Sequence, residues 1–331
     1  MNKKHDVVGI GSPLLDIIVN VEEKVLRALG FEKGGMNLIT KEDSDRILEY
    51  IKNHKKDIVS GGSAANTIAG TSLLGNKTAL IGVLGDDEHG EIYEAQVCKD
   101  GICGALHKHD DHATGHAITF ITPDGERTFA THLGAAAAIR DEHILEDDIK
   151  SGKVLHVEAY QLEDPLTREA MFRAIEIARE NGAKISLDLS DPGLIERTGD
   201  LFKEVVDRHV DIVFANEDEA KKFTGLDSEG AVHEIASMCD MAIVKLGKKG
   251  SIIKSNGMLH RIDPYVIEEV NTNGAGDMYA AGILHGIVNG INMDETGKIA
   301  SHLAALVVAS PGARMDEKYH GEIEKYKISN S

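Results

Sequence analysis

Two hydrophobic rhythms share this chain. Short apolar runs, among them Asp6-Val7-Val8-Gly9-Ile10-Gly11, Lys77 to Leu84 and Ile102 to Leu106, are too brief for helices and read as buried strands. Between them lie longer stretches in which apolar residues return every third or fourth position, the period of an amphipathic helix. From Lys153 onward the alternation is regular. Val154-Leu155-His156-Val157, Ala183 to Leu189, Asp211-Ile212-Val213-Phe214 and Met241 to Lys245 read as strands. Pro165 to Glu180 and Leu194 to His209 read as helices between them, and Asn216-Glu217-Asp218-Glu219 opens another. Strands separated by long helices predict βαβ units and a mainly parallel sheet. Gly247-Lys248-Lys249-Gly250 is a turn into a hairpin. Two long helices, Ala275 to Asn289 and Met293 to Ser310, close the domain, and the polar end from Asp316 to Ser331 is expected at the periphery.

Two segments break this rhythm. Leu14 to Val21 and Gly34 to Ile39 are strand-like, as are Gly115 to Thr122 and Glu126 to Thr131 around the turn Thr122-Pro123-Asp124-Gly125. None of these has a long helix between it and the next. A helix follows from about Lys41 to Asn53 with Thr40 as N-cap, and another from Glu88 to Asp100. The pattern predicts an α/β core from residues 1–13, 41–107 and 133–331. A small antiparallel β-sheet from 14–40 and 108–132 is expected to sit over it as a lid. Open α/β sheets bind ligands at the carboxyl ends of their strands, and a sheet above that edge would exclude water.

Charge and composition narrow the class. A net charge of −19 over 331 residues argues against a nucleic-acid partner, which calls for basic patches. The chain has no apolar run long enough to span a membrane, and Met1 to Asp6 lacks a signal-peptide core. Cys98, Cys103 and Cys239 make neither a disulfide framework nor a zinc-like spacing, so a reduced, cytoplasmic protein is expected. The dense stretch His107-Lys108-His109-Asp110-Asp111-His112, with His116 beyond, matches no standard metal spacing and reads as a polar connection. Gly9 and Gly11 lack the third glycine of a dinucleotide fingerprint, and Pro13 stands where a helix would begin.

The chemistry concentrates in two glycine-rich stretches. Asn271-Thr272-Asn273-Gly274-Ala275-Gly276-Asp277 reads as a loop entering a helix, whose first turn offers unpaired N–H groups to an anion. A carboxylate in that turn would repel a bound phosphate. It makes sense as a base that takes a proton from an attacking hydroxyl while the amides hold charge on a phosphoryl group. Ser60-Gly61-Gly62-Ser63-Ala64-Ala65-Asn66 leads into a helix of small residues that can approach a neighbour closely. Tight packing explains the alanines but not Asn66, a poor helix former with a polar head. Asp16, an acid inside an apolar run, either faces solvent or accepts hydrogen bonds from ligand hydroxyls such as a sugar diol. Arg127 stands just after the hairpin turn, where it reaches a phosphate or stays in water.

Together, in this order, the Gly61-to-Gly75 stretch and Gly274-Ala275-Gly276-Asp277 resemble the two signatures of the PfkB family of carbohydrate and nucleoside kinases, over nearly the whole chain. The resemblance implies the ribokinase-like fold and ATP-dependent phosphorylation of an alcohol. Gly11-Ser12-Pro13-Leu14-Leu15-Asp16 and the Thr272-Asn273 pair look most like the adenosine kinases, which makes adenosine or a related nucleoside the first expectation for the acceptor. A sugar is the alternative, and a silent ligand-binding regulator a further one, against which the intact Asp277 counts. By resemblance Asp277 is the base, and Gly274, Ala275 and Gly276 frame the anion hole. Asp16, Gly61, Gly62, Asn66, Asn37 and Arg127 bind the acceptor. Asn216, Lys245, Gly247, Gly250, Thr272 and His302 serve ATP, and Glu219 engages Mg²⁺ through water. Two positions depart from the family. Asn271 replaces an Asp associated with a monovalent cation, which leaves potassium dependence open. Asp191-Pro192-Gly193 lacks a pocket-closing aromatic, and with aromatics at 4% and no Trp, Tyr160 and Phe120 are the candidates to stack on a base. In this family the exposed lid face sometimes pairs with another subunit, so a monomer and a homodimer are both compatible with the sequence.

Overall fold

A computed structural model describes residues 3–328; Met1 and Asn2 of the start and Ser329 to Ser331 of the polar end lie outside it. In chain order the strands are β1 (His5–Ile10), β2 (Leu14–Asn20), β3 (Met36–Leu38), β4 (Lys56–Gly61), β5 (Thr78–Gly85), β6 (Cys103–His109) and β7 (His116–Ile121). They continue with β8 (Arg127–His132), β9 (Gly152–Glu158), β10 (Lys184–Asp188), β11 (Ile212–Asn216), β12 (Met241–Lys245), β13 (Ser251–Ser255) and β14 (Met258–Ile262).

Nine strands form one sheet in the order β14-β13-β12-β11-β10-β9-β1-β5-β6. It is parallel from β12 to β6 and ends in the antiparallel hairpins β12–β13–β14. All eight residues of β5 are buried, as a parallel strand covered on both faces requires. The chain winds outward in opposite directions from β1, so a crevice opens at the carboxyl ends of β1 and β9. The loop Gly11 to Pro13 and Glu158 lie there.

The second sheet has the order β3-β8-β7-β2-β4. Its antiparallel pairs β2–β4 and β7–β8 are joined by parallel pairings of β2 with β7 and β3 with β8. In β2, buried and half-buried residues alternate, so the two faces differ. Ile17, Val19, Ile118, Phe120 and Ala130 form one face, packed under Val25 and Leu26 of the helix Glu23–Leu29, Ile47 of the helix Lys41–Tyr50 and its C-cap Ile51. Asp16 belongs to the other, open face.

Three expectations change here. Strand β4 falls in the 41–107 stretch assigned to the core, yet it pairs with β2; Asp57 and Ser60 interrupt its apolar pattern and hide it from a periodicity reading. The 14–40 stretch contains the helix Glu23–Leu29, which Gly30 closes in the left-handed conformation. The helix expected from Leu194 to His209 is broken at Gly199 (φ 55°) into Pro192–Thr198 and Asp200–His209. Thr40 caps its helix as expected, accepting from Asp43 N–H at 3.1 Å.

Glycines let three helices stack closely. A Cβ at Gly70 would lie 2.4 Å from Met278 Sδ, and one at Gly282 only 2.5 Å from Ala300 Cα. The helices Ser63–Leu73, Ala275–Val288 and Met293–Val308 therefore approach through bare backbone. Because the obstacle at Gly282 is backbone, Gly282→Val is expected to destabilise the fold by at least about 2 kcal/mol. A urea midpoint within error of the parent would contradict this packing.

Candidate active site

The helices Ser63–Leu73 and Ala275–Val288 point their N-termini into the crevice, and Asp277 stands where they meet. Gly274 precedes the second helix at φ 75°, and a Cβ there would lie 2.0 Å from Ala313 O. A Cβ on Gly276 would come within 2.9 Å of Lys245 Nζ. The first turn, Ala275 included, is thus stripped of bulk, with an ammonium beside it. Asp277 follows as the third helical residue. Ser63 Oγ donates to its Oδ1 at 2.7 Å, Asn66 Nδ2 donates to its Oδ2 at 3.0 Å, and Thr67 Oγ1 donates to its carbonyl at 3.2 Å. Burial pushes the Asp277 carboxyl up to about 6. The two side-chain hydrogen bonds and Lys245 oppose that rise, while Asp188 adds to it.

Asp16 approaches from the small sheet. Its Oδ2 lies 2.6 Å from where a Cβ of Gly61 would be, and a Cβ on Gly62 (φ 94°) would lie 2.2 Å from Ser12 O. Both residues are glycine because the chain crosses itself here. Burial pushes Asp16 up to about 6, helped by Asp277 and opposed by Arg314 and Arg127. Arg127 shares the open face, and its Nη2 donates to Pro311 O at 3.2 Å. Asn37 does not reach this group. Register pairs it with Ala130 of the helix-covered face, and its amide donates to Phe129 O at 3.1 Å. Phe120 is fully buried in that covered face and cannot stack on a ligand, whereas Tyr160 is 39% exposed.

A second polar group lies at the ends of β10, β11 and β12. Lys245 Nζ donates to Asp188 Oδ2 at 3.0 Å. Burial opposes its charge, but Asp188, Glu219 and Asp277 outweigh that and hold the ammonium above its ordinary range. Asn216 caps the helix Glu217–Thr224 in a reciprocal box: Glu219 N–H donates to Asn216 Oδ1 at 2.9 Å, and Asn216 N–H donates to Glu219 Oε2 at 2.7 Å. Asn216 Nδ2 also donates to Glu219 Oε1, at 2.6 Å. Burial, then Asp188, pushes Glu219 up to about 7. Gly247 and Gly250 shape the turn from β12 to β13 at φ 56° and 88°. Thr272 is exposed in the loop before Gly274. His302 is buried, with its ring 4.1 Å from that of Tyr265 and its Nδ1 3.0 Å from Tyr326 Oη, so Tyr265 is the face this corner shows to solvent. Asn271 is buried too; its Nδ2 donates to Pro311 O at 3.2 Å and its Oδ1 accepts from Asn273 N–H.

Several residues here escaped the sequence reading. Glu158 and Asp188 each end an apolar strand with an acid, the signal that picked out Asp16, and were legible in principle. Glu158 Oε1 accepts from Ser12 N–H at 2.6 Å and its Oε2 from Ala64 N–H at 3.1 Å, tying the crevice loop to a helix start. Phe129 shares the open face with Asp16 through the register Ile18–Thr119–Phe129. Arg314 comes from a loop with no periodicity at all.

The chain is similar to known proteins over nearly its whole length. A family model described as pfkB family carbohydrate kinase matches residues 36–318. A 5-dehydro-2-deoxygluconokinase of Bacillus licheniformis is 30% identical, covering 99% of this chain and 98% of its own. The structure of adenosine kinase from Sinorhizobium meliloti is similar at TM-score 0.88 and 33% identity, covering 97% of this chain and 99% of that one. A probable sugar kinase from Rhizobium etli CFN 42 reaches TM-score 0.86 at 30% identity, with 98% of each chain covered.

Because Asn66 donates to the Asp277 carboxylate, Asn66→Ala is expected to raise the Asp277 titration above about 6. A ¹³C-carboxyl titration by NMR checks this; an unchanged or lowered midpoint would contradict it.

Proposed function

The chain belongs to the pfkB family of carbohydrate kinases, and on that basis we propose that it transfers the γ-phosphoryl group of ATP to a primary hydroxyl of a neutral polyhydroxy acceptor, a nucleoside of the adenosine type first. The observation that carries this reading is the position of Asp277, hydrogen-bonded from one helix start and standing in the first turn of another. A carboxyl near 6 is ionised at neutral pH yet basic enough to take a proton from an alcohol as it attacks. The N–H groups of the Gly274–Gly276 turn and the Lys245 ammonium meet the charge on the phosphoryl oxygens. Asp16 accepts hydrogen bonds from vicinal hydroxyls of the acceptor.

The residues fit a Mg²⁺ carried by the nucleotide and held through its waters. Asp188 and Glu219 already repel each other, which a cation relieves, and the Asn216 cap fixes the Glu219 carboxylate. Among the described residues there is no cluster of three or more ligating side chains to cage an ion directly. When bound, Mg²⁺ neutralises charge on the β- and γ-phosphates.

Electrostatics favours a neutral acceptor. Asp16, Asp277 and Glu158 crowd its end of the crevice and outnumber the two guanidiniums near Asp16, of which Arg127 also bonds Pro311 O and Arg314 also bonds Asp100 and Asn66. A gluconate-like acid would find repulsion there. The open face beside Asp16 carries half-buried Ile18 and Phe129 and exposed Met36 and Leu38, an apolar wall suited to a base. A neutral sugar is the second reading, favoured by the scarcity of aromatics.

Adenosine, other nucleosides, neutral sugars and gluconate are to be compared with MgATP by following ADP release. Adenosine is expected to lead and gluconate to be poor; the reverse order would overturn the acceptor assignment. Asp277→Asn is expected to lower kcat by roughly 10²–10⁴-fold, while Asp16→Ala raises KM for the acceptor. Both carboxyls must be ionised, and both titrate at about 6. kcat/KM is therefore expected to be flat above that pH and to fall below it, by roughly tenfold to a hundredfold per unit. A profile flat down to pH 5 would remove Asp277 as the base.

A further inference from the structure

The loop after the helix Met293–Val308 carries a residue aimed at the base from behind. Arg314 Nε donates to Asn66 Oδ1 at 3.2 Å, and Asn66 Nδ2 donates to Asp277 Oδ2 at 3.0 Å. Arg314 Nη1 pairs with Asp100 Oδ2, and Nη2 is buried with no hydrogen-bond partner among the described residues. The loop itself is pinned. Pro311 O accepts from Arg127 and from Asn271, Asp316 N–H donates to Ser310 Oγ at 3.0 Å, and Ala313 O seats against Gly274.

We propose that Arg314 is a positioning residue for the Asp277 base, acting through the carboxamide of Asn66. The inference rests on the kinase reading above. The two ends of a carboxamide have nearly the same shape, so its neighbours decide which end faces which. A guanidinium offers donors and no acceptor, so only Oδ1 can face Arg314. That leaves Nδ2 for the carboxylate. Without Arg314 the amide is free to turn once Asp277 is protonated, and its carbonyl oxygen would then accept from the carboxyl O–H and favour the neutral acid. Arg314 also acts on the other carboxyl of the site, since among its neighbours it does most to hold Asp16 down. The competing account makes Arg314 only an ion pair with Asp100 that ties down the C-terminal segment. That account predicts lost stability and an unmoved base.

The test is a double-mutant cycle of Arg314→Met and Asn66→Ala in the full chain, with Arg314→Lys and Asp100→Asn alongside. The first readout is the ¹³C-carboxyl titration of Asp277, which needs no substrate. Arg314→Met and Asn66→Ala are each expected to raise it, by about one unit for the loss of an oriented donor, and the double variant to match Asn66→Ala alone. The acid limb of kcat should move with it, so that kcat falls about twofold at pH 7 and about tenfold at pH 5. Arg314→Lys, which keeps a charged donor, should recover part of both and serves if the Met variant fails to fold. Asp100→Asn should lower Tm and leave the titration in place. The proposal is overturned if Arg314→Met titrates like the parent, if its effect adds to that of Asn66→Ala, or if Asp100→Asn shifts the base equally. A parent protein inert towards every acceptor would instead count against the kinase reading, and the titration would still decide the role of Arg314.

Discussion

The structure depends on one meeting of two helix starts. Ser63 and Asn66 on the first hold both carboxylate oxygens of Asp277 on the second, and Thr67 fastens the backbone beneath. Helix N-termini favour negative charge, and two of them converge here. Burial works the other way. The carboxylate rests between these influences, ionised in neutral solution but still able to accept a proton. A bare aspartate in water would be too weak a base, and one buried without donors would stay protonated.

The rest of the site is arranged around that balance. The large sheet brings Asp188 and Lys245 to one side, next to Glu219 in the helix after β11, and the proposed function puts a polyphosphate and its cation there. The small sheet brings Asp16 to the other. Between them the chain passes so close to itself that Gly61, Gly62, Gly274 and Gly276 have no room for side chains. These glycines serve approach as much as turning. That is why the same stretches read as motifs: a backbone that must lie within contact of a carboxylate or an ammonium leaves little choice of residue.

Much of this was legible because it is local. The long helices and buried strands follow from period and from breakers, and the glycine-rich turns from residue type. Asp16 stood out as an acid in an apolar run. What stayed hidden is set by distant parts of the chain. Strand β4 has no clean alternation, and only its pairing with β2 makes it a strand. Phe120 and Phe129 look alike in sequence, yet register sends one into the helix-covered core and the other to the open face. Asn37 is turned away by the same rule. Arg314 lies 248 positions from Asn66, and no pattern along the chain announces their contact. The Asn216–Glu219 pair shows the converse: the family resemblance implies a site there, while its hydrogen bonds already account for it as a helix cap.

The glycine-lined stacking of the three helices carries a consequence for motion. With Gly70 against Met278 and Ala281, Gly282 against Ala300 and Gly286 against Thr296, no slack exists along these contacts. The floor of the crevice is built as an anvil: moving Ser63 and Asn66 relative to Asp277 would drive the backbone of one helix into its neighbour. Adjustment to an incoming molecule is cheapest on the other side, in the outer strands of the five-stranded sheet, which Arg127 fastens to the carbonyl of Pro311 while Gln96 and Tyr93 hold the β4 edge to the rigid body.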